Sequence, residues 1–376
     1  MRYGSSTLSD VLASGSFNHR YYVDVLYDGV RIMQDLPVTN VTFQEDDSAQ
    51  VECTGSLTVV YQGDFADSIA PQNIGDILSP FGTVLSLSVI VSAGPGFSER
   101  VMLGQFLISD TPNIVTEAFL FNTAILTRGD SIDLSFTDYF GAVSDDKFDV
   151  PGSPPDLSSV WNEIQRLTGL PITRTITDGT IPASVAYQQE KLQAVYDLAT
   201  VLDATAYMTS AGTVSMRPNT WPAPVDTISG GDGTLIAVVR GMSNASVRNK
   251  LVVRSYAGNG QSVLSSGEIT DGPLRTRNSD GTVSPYRSRP QFYSSQFIVT
   301  SDQADAFVQN NLSRVSVLRS VKVVVTETFN PLRQVGDVVT VVRKVDQTVT
   351  SKFVARVSNI VRTTDATQQT TVTVGQ

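Results

Sequence analysis

The residue types that most often carry chemistry are nearly missing: 376 residues include one cysteine and one histidine. A lone Cys53 forms no internal disulfide, no Cys-x-x-Cys pair exists for zinc, and histidine-based metal clusters are excluded by count. A Ser-His-Asp or Cys-His site would have to recruit His19, in GSFNHRYY just before the first strand, and no Gly-x-Ser-x-Gly elbow accompanies it. His19 is therefore expected to be an exposed or packing residue. Long apolar runs are also absent. The most apolar stretch, VLSLSVIVSA (84–93), is far short of the roughly 20 residues of a spanning helix. The start, MRYGSSTLSD, is too polar for a signal peptide, so a soluble protein made in a cytoplasm, without stable membrane insertion, is expected.

Other chemistries lack their signatures. GNGQSVLSSG (258–267) has glycines but no following Gly-Lys-Ser/Thr of a phosphate loop. Asp46-Asp47 and Asp145-Asp146 could hold a hard cation, yet neither follows an EF-hand spacing, and solvated turn carboxylates are the plainer reading. A distant pair of carboxylates, as in a glycosidase, leaves no local mark, so the 37 acidic residues neither support nor exclude one. No cofactor, metal or catalytic residue is expected, and the chain reads as a non-enzyme.

What is present is ample core material. Hydrophobic residues make up 41% and charged residues 17%, and the length suggests about two to four domains. Lysine is scarce, 6 against 21 arginines. The net charge of −10 conceals an asymmetry: residues 1–150 carry a net −14, residues 151–239 a net −4 and residues 240–376 a net +8. Such a distribution argues against a dedicated nucleic-acid binder, which concentrates basic charge on an overall basic domain. It suits a protein whose ends meet different neighbours or its own copies.

The first hundred residues read as strands. In RYYVDVLYDGVRIMQ, alternation runs into an Asp28-Gly29 hairpin turn. VTNVTFQEDDSAQVECTGSLTVVYQ continues it, with Glu45-Asp46-Asp47 as an acidic tip and Val51, Cys53, Leu57 and Val59 on one face, which makes Cys53 a buried, inert thiol. Helices are expected in PPDLSSVWNEIQRLTGLP, stopped by Gly169 and Pro171; in QQEKLQAVYDLATVLDA; and in SDQADAFVQNNLSRVSVLRS, capped by Ser301 or Asp302. TAYMTSAGTVSMRP reads as two strands joined at Ala211-Gly212. Residues 145–157 and 217–233 read as linkers and 265–290 as a long surface loop. Near the end, FNPLRQVGDVVTVVRKVD (329–346) carries a turn at Pro331, a second at Gly336-Asp337, and a Val-rich strand.

Segment order then points to a family. EKLQAVYDLATVLDATAYMTSAGTVSMRP (190–218) gives a helix, a small-residue strand, a turn and a strand ending in Pro. DAFVQNNLSRVSVLRSVKVVVTETFNPLRQVGDVVTVVRK (305–344) gives a helix, a strand, the Pro turn and the Gly-Asp turn, and VMLGQFLISDTPNI (101–114) a Gly-aromatic strand. Together they resemble the tail-tip or baseplate hub proteins of tailed bacteriophages, related to the hubs of contractile tails and of long non-contractile tails.

The resemblance implies a mainly β fold with α+β insertions, in which two tube-like β-barrel domains flank smaller α/β domains. Residues 1–100 would be the first tube-like domain, 101–155 a β connecting domain, 156–239 a small α+β domain, and 240–376 the second tube-like domain. It implies a structural virion protein at the tail tip: a homotrimer that closes the tail tube and forms the channel for tape-measure protein and DNA during genome ejection. Implied partners are the distal tail and tail tube proteins, the tape-measure protein and tail-fibre or receptor-binding proteins, with DNA present only in transit. On this reading Pro331, Gly336 and Asp337 are structural turn residues that fix the final strand, and the channel wall is acidic or neutral. Many such hubs continue into a fibre, peptidase or glycan-binding module, whereas this sequence stops at Gln376; cell-wall cleavage and receptor binding are expected of other proteins. Two other readings are a β-sandwich carbohydrate-binding adhesin, using Trp221, Tyr286 and Tyr293 as loop aromatics, and a carboxylate-dependent cell-wall hydrolase.

Overall fold

The computed structural model describes residues 1–374 except 64–67, 123, 184, 232, 255–261, 296, 297, 299, 317–320 and 345–349. Residues 258–261 of the glycine-containing segment and 317–320, the last four residues of the last expected helix, therefore lie outside the described residues.

The chain opens with a helix that the sequence reading does not contain, α1 (Ser6–Ser14). Ser5 caps it by accepting the Leu8 N–H, Gly15 ends it at φ 65°, and Leu8 and Leu12 pack one turn apart into the first core. Six strands follow: β1 (Asn18–Tyr27), β2 (Val30–Asp46), β3 (Cys53–Tyr61), β4 (Val84–Ala93), β5 (Phe97–Phe121) and β6 (Ala124–Thr137). Asp28 and Gly29, both at positive φ, make the β1–β2 hairpin turn. The strands pair in the order β1-β4-β5-β6-β3-β2, and β2 also pairs with β1, so the hydrogen-bonded circuit returns to its start. Strands from 97 to 137, assigned largely to a connecting region from sequence, thus pair with those of the first hundred residues. Inward residues such as Val23, Phe43, Leu57, Leu87 and Leu134 fill the circuit.

A helical lobe comes next: α2 (Tyr139–Asp145), α3 (Val160–Thr168), α4 (Lys191–Val201) and the hairpin β7 (Ala204–Met208) and β8 (Val214–Pro218). Ser159 caps α3 and Gly169 at φ 66° ends it; the Pro-Pro-Asp segment expected to open this helix precedes it as loop. Trp161, Ile164, Leu192 and Leu198 form the lobe's core. Val51 packs there as well, rather than on the face it was expected to share with Cys53, because the chain bends before β3 begins.

The last third holds β9 (Asp226–Ser229), β10 (Leu235–Met242), an inserted unit of β11 (Lys250–Arg254), β12 (Val263–Glu268), β13 (Pro290–Ser294) and α5 (Ser301–Val315), then β14 (Val321–Thr328), β15 (Val338–Lys344), β16 (Thr350–Thr363) and β17 (Thr367–Val374). The expected linker 217–233 therefore contains a strand. The expected loop 265–290 is tied back by an Arg277–Val283 bridge, with Thr276 and Ser284 buried. Thr300, one residue earlier than expected, caps α5 through a capping box with Gln303. Six strands pair in the order β9-β15-β16-β17-β14-β10 around Val325, Val341, Val357 and Ile360. Among the described residues β9 and β10 do not pair, so this second circuit is open. β16 also pairs with β2, from Asn359 opposite Asp46 to Thr363 opposite Thr42, which joins both systems into one twelve-stranded sheet.

Candidate functional site at the seam between the strand systems

The segment 329–337 sits on that seam. Phe329 is fully buried and stacks on His19 with centroids 4.0 Å apart, while Tyr21 meets it edge-on and donates to the Thr363 carbonyl at 2.9 Å. His19 thus serves packing: its Nε2 is buried with no hydrogen-bond partner among the described residues, and burial lowers its pKa. Pro331 and Leu332 form the first turn, where the Asn330 side chain accepts the Leu332 N–H at 3.0 Å and Leu332 drops into the first core.

Around this turn lies a buried charge network. Glu45 of β2 pairs with Arg2 and, at 3.3 Å, with Arg362 of β16. Both guanidiniums also donate to carbonyls of the turn: Arg2 to Pro331 and Arg333, Arg362 to Asn330 and Arg333. Burial by itself would raise the Glu45 carboxyl, but the two arginines outweigh it and hold that pKa below the ordinary value. Arg333 is 2% exposed and pairs with Glu327 at 2.8 Å and Asp226 at 3.0 Å. Glu45 is therefore a seam residue, not a member of a solvated acidic tip. Its phase was readable, since Val41, Phe43 and Glu45 lie on one strand face, as do Ile360 and Arg362.

The second turn spans Gln334 to Asp337, closed by Asp337 N–H to the Gln334 carbonyl at 3.2 Å. Gly336 holds φ 89°, and a Cβ there would lie 2.7 Å from Cδ of Arg217. The Asp337 carboxylate accepts the Gln334 N–H at 2.8 Å, thus from before the turn, and pairs with the Met1 amine. Arg217, from β8, pairs with Glu52 at 2.5 Å and donates to the Val335 carbonyl at 3.0 Å. First strand system, helical lobe and second strand system are thus fastened at one turn.

Beside it, Asp138 caps α2 and accepts the N–H groups of Phe140 and Cys53, both at 2.9 Å. Burial pushes its carboxyl up to about 7, and burial, with Asp138 beside it, lifts the Cys53 thiol well above the usual range. A thiol so placed stays protonated and unreactive. Asp146 pairs with Lys191 at 2.7 Å, and Asp46 accepts from Ser48. Among the described residues no three His, Cys, Asp or Glu side chains are grouped to hold a metal, and no helix is long and apolar enough to cross a membrane.

A cleft of about 960 Å³ opens on the other side of the seam, between β16–β17, β8 and the α5 unit. Trp221 and Tyr293 both line it, whereas Tyr286 lies elsewhere, donating to the Val247 carbonyl at 3.2 Å.

No protein-family model and no curated protein matches the sequence. Solved structures do match its fold along nearly the whole chain. The tail protein from Neisseria meningitidis MC58 superposes with a TM-score of 0.57 at 11% identity, over 95% of this chain and 97% of that one. The 43 kDa tail protein of prophage MuSo2 from Shewanella oneidensis gives 0.56 at 13% identity, over 94% and 98%. A chain of a PdpA-VgrG complex gives 0.51 at 10% identity, over 96% of this chain and 64% of that one. The chain has the fold of phage tail proteins, the same fold to which the order of its sequence segments points.

Proposed function

We propose that this protein is a structural component of a phage tail: a homotrimeric hub at the distal end of the tail tube, through whose axis tape-measure protein and DNA pass during ejection. The observation that carries this reading is the seam. One chain presents two six-stranded systems side by side and joins them rigidly through β2–β16 pairing. Three copies would supply six such units, a match for a tube of sixfold symmetry. In this reading the tube-like units are β1–β6 and the β9, β10 and β14–β17 system, and the helical lobe and α5 unit lie at the periphery. Distal tail, tube and fibre or receptor-binding proteins are the neighbours, and the protein acts in the virion without catalysis. Pro331, Gly336 and Asp337 act as the joint that keeps the two units in register. The channel wall is acidic or neutral polar, so that DNA slides without the phosphate contacts that arginine and lysine would make.

Native mass measurement combined with electron microscopy of the purified protein tests this. A three-fold ring with an axial hole is expected. A monomer without an opening, or a lumen lined by Arg275, Arg277, Arg287 and Arg289, would overturn the reading.

A further inference from the structure

The cleft beside the seam has the makings of a ligand site that the hub role does not require. Its floor is β16 and β17, each hydrogen-bonded on both sides, so no free strand edge is offered for an added peptide strand. Recognition must come from side chains. Arg356 reaches in from β16. Its terminal nitrogens donate to the carbonyls of Asn219 (3.1 Å) and Pro218 (3.3 Å), its Nε is buried without a partner, and no carboxylate lies within ion-pair distance among the described residues. Burial, with Arg217 and Arg314 nearby, lowers its pKa to about 10. Arg217 is already matched by Glu52, which leaves Arg356 near Asp47, whose own carboxyl burial lifts to about 6.

Aromatic faces complete the walls. Trp221 is partly exposed on one side, and on the other Tyr293 is braced against Phe307 with ring centroids 4.4 Å apart. Gln291, Asn311 and Asn359 supply amides between them. Flat aromatic surfaces take the apolar faces of pyranose rings, amides and Asp47 take hydroxyls, and a guanidinium without a carboxylate partner takes a carboxylate. Asp46 and Asp47 would repel a densely charged polyphosphate, which excludes nucleic acid in favour of a ligand with sparse negative charge. We propose that this cleft binds an oligosaccharide bearing carboxylate groups, with Arg356 on the carboxylate and Trp221 and Tyr293 against the rings.

The test titrates the full chain with a hyaluronan tetrasaccharide, whose carboxylates sit only on alternate rings, and with its methyl ester, which keeps the rings and removes the charge. Calorimetry and tryptophan emission are read together, because Trp161 is fully buried and Trp221 alone faces the cleft. Saturable binding of the acid is expected, with the ester about tenfold or more weaker. Arg356→Met should remove that preference, and Trp221→Phe should remove the emission change while calorimetry still detects binding. Trp221→Ala gives a second, independent loss of affinity should Arg356→Met fold poorly. Absence of saturable acid binding at millimolar ligand, equal binding of acid and ester, or unchanged affinity in a folded Arg356→Met protein would each sink the proposal. Ring formation is scored separately by mass, so a failed glycan site and a failed hub reading give different results.

Discussion

Arg362 and Glu45 meet at 3.3 Å across the seam with almost no exposed surface, although 317 residues separate them in the chain. An ion pair so buried contributes little net stability compared with apolar residues, but removing one partner strands the other. Here Glu45 serves two arginines at once. Glu45→Leu should therefore lower the unfolding free energy by about 3–5 kcal/mol, measured by urea denaturation. A loss below about 1 kcal/mol would show that the arginines find water or carbonyl partners without it.

Gly336 and Gly15 provide an internal comparison. Both sit at positive φ, but a Cβ at Gly15 meets nothing within 4 Å, whereas one at Gly336 collides with Arg217. Gly15→Ala should cost about 1 kcal/mol from backbone strain alone. Gly336→Ala should cost more, about 2–3 kcal/mol, because Arg217 must leave Glu52 or the turn must open. Equal costs at the two sites would remove the clamp from the account.

Asp138 makes stability fall as pH rises. Its folded carboxyl titrates near 7, above the ordinary aspartate value of 3.8, with Glu52, Cys53 and Arg217 as its charged or titratable surroundings. The folded state therefore holds a proton that the unfolded chain has already released, and this contribution is present below about pH 4 and lost as pH rises through about 7. Relative to Asp138→Asn, the wild type should lose on the order of 1–3 kcal/mol between pH 5 and pH 8. A difference between the two proteins that is flat over this range would place Asp138 in its ionised form throughout.

The proposed ring has a salt signature. If the −14 half of one copy faces the +8 portion of the next, exposed pairs across that contact are screened within about 8–10 Å near physiological ionic strength. Raising salt toward molar levels should shift the trimer toward smaller species in sedimentation. An assembly indifferent to salt would mean an apolar interface, with the charge halves incidental.

Much of the local structure was legible, because local structure answers to neighbours in sequence. Asp28-Gly29 announces a tight hairpin, Gly169 stops α3 where expected although Ser159 and not the Pro-Pro-Asp segment opens it, and Thr300 starts α5 one residue before the expected Ser301 or Asp302. The α1 helix was missed because two leucines between Ser5 and Gly15 make too short a pattern to stand out. The strand expected over 101–114 runs across Pro112, which lies where the ladder slips between Asp110 and Asn113, and the structure extends it at both ends, from Phe97 to Phe121.

What the sequence by itself determined is a mainly β chain of alternating strands with three internal helices, a buried thiol, a histidine left as either exposed or packing, and punctuating turns at Pro331 and Gly336. Tertiary structure alone decided which strand edges meet. β2 and β16 join through backbone hydrogen bonds, which are alike for every residue type, so nothing in either strand names the other. The same holds for the charges: Arg2, Glu45, Arg333 and Arg362 look like surface residues until the two strand systems close over them, and only then do carboxylates and turn carbonyls take the place of water around the guanidiniums.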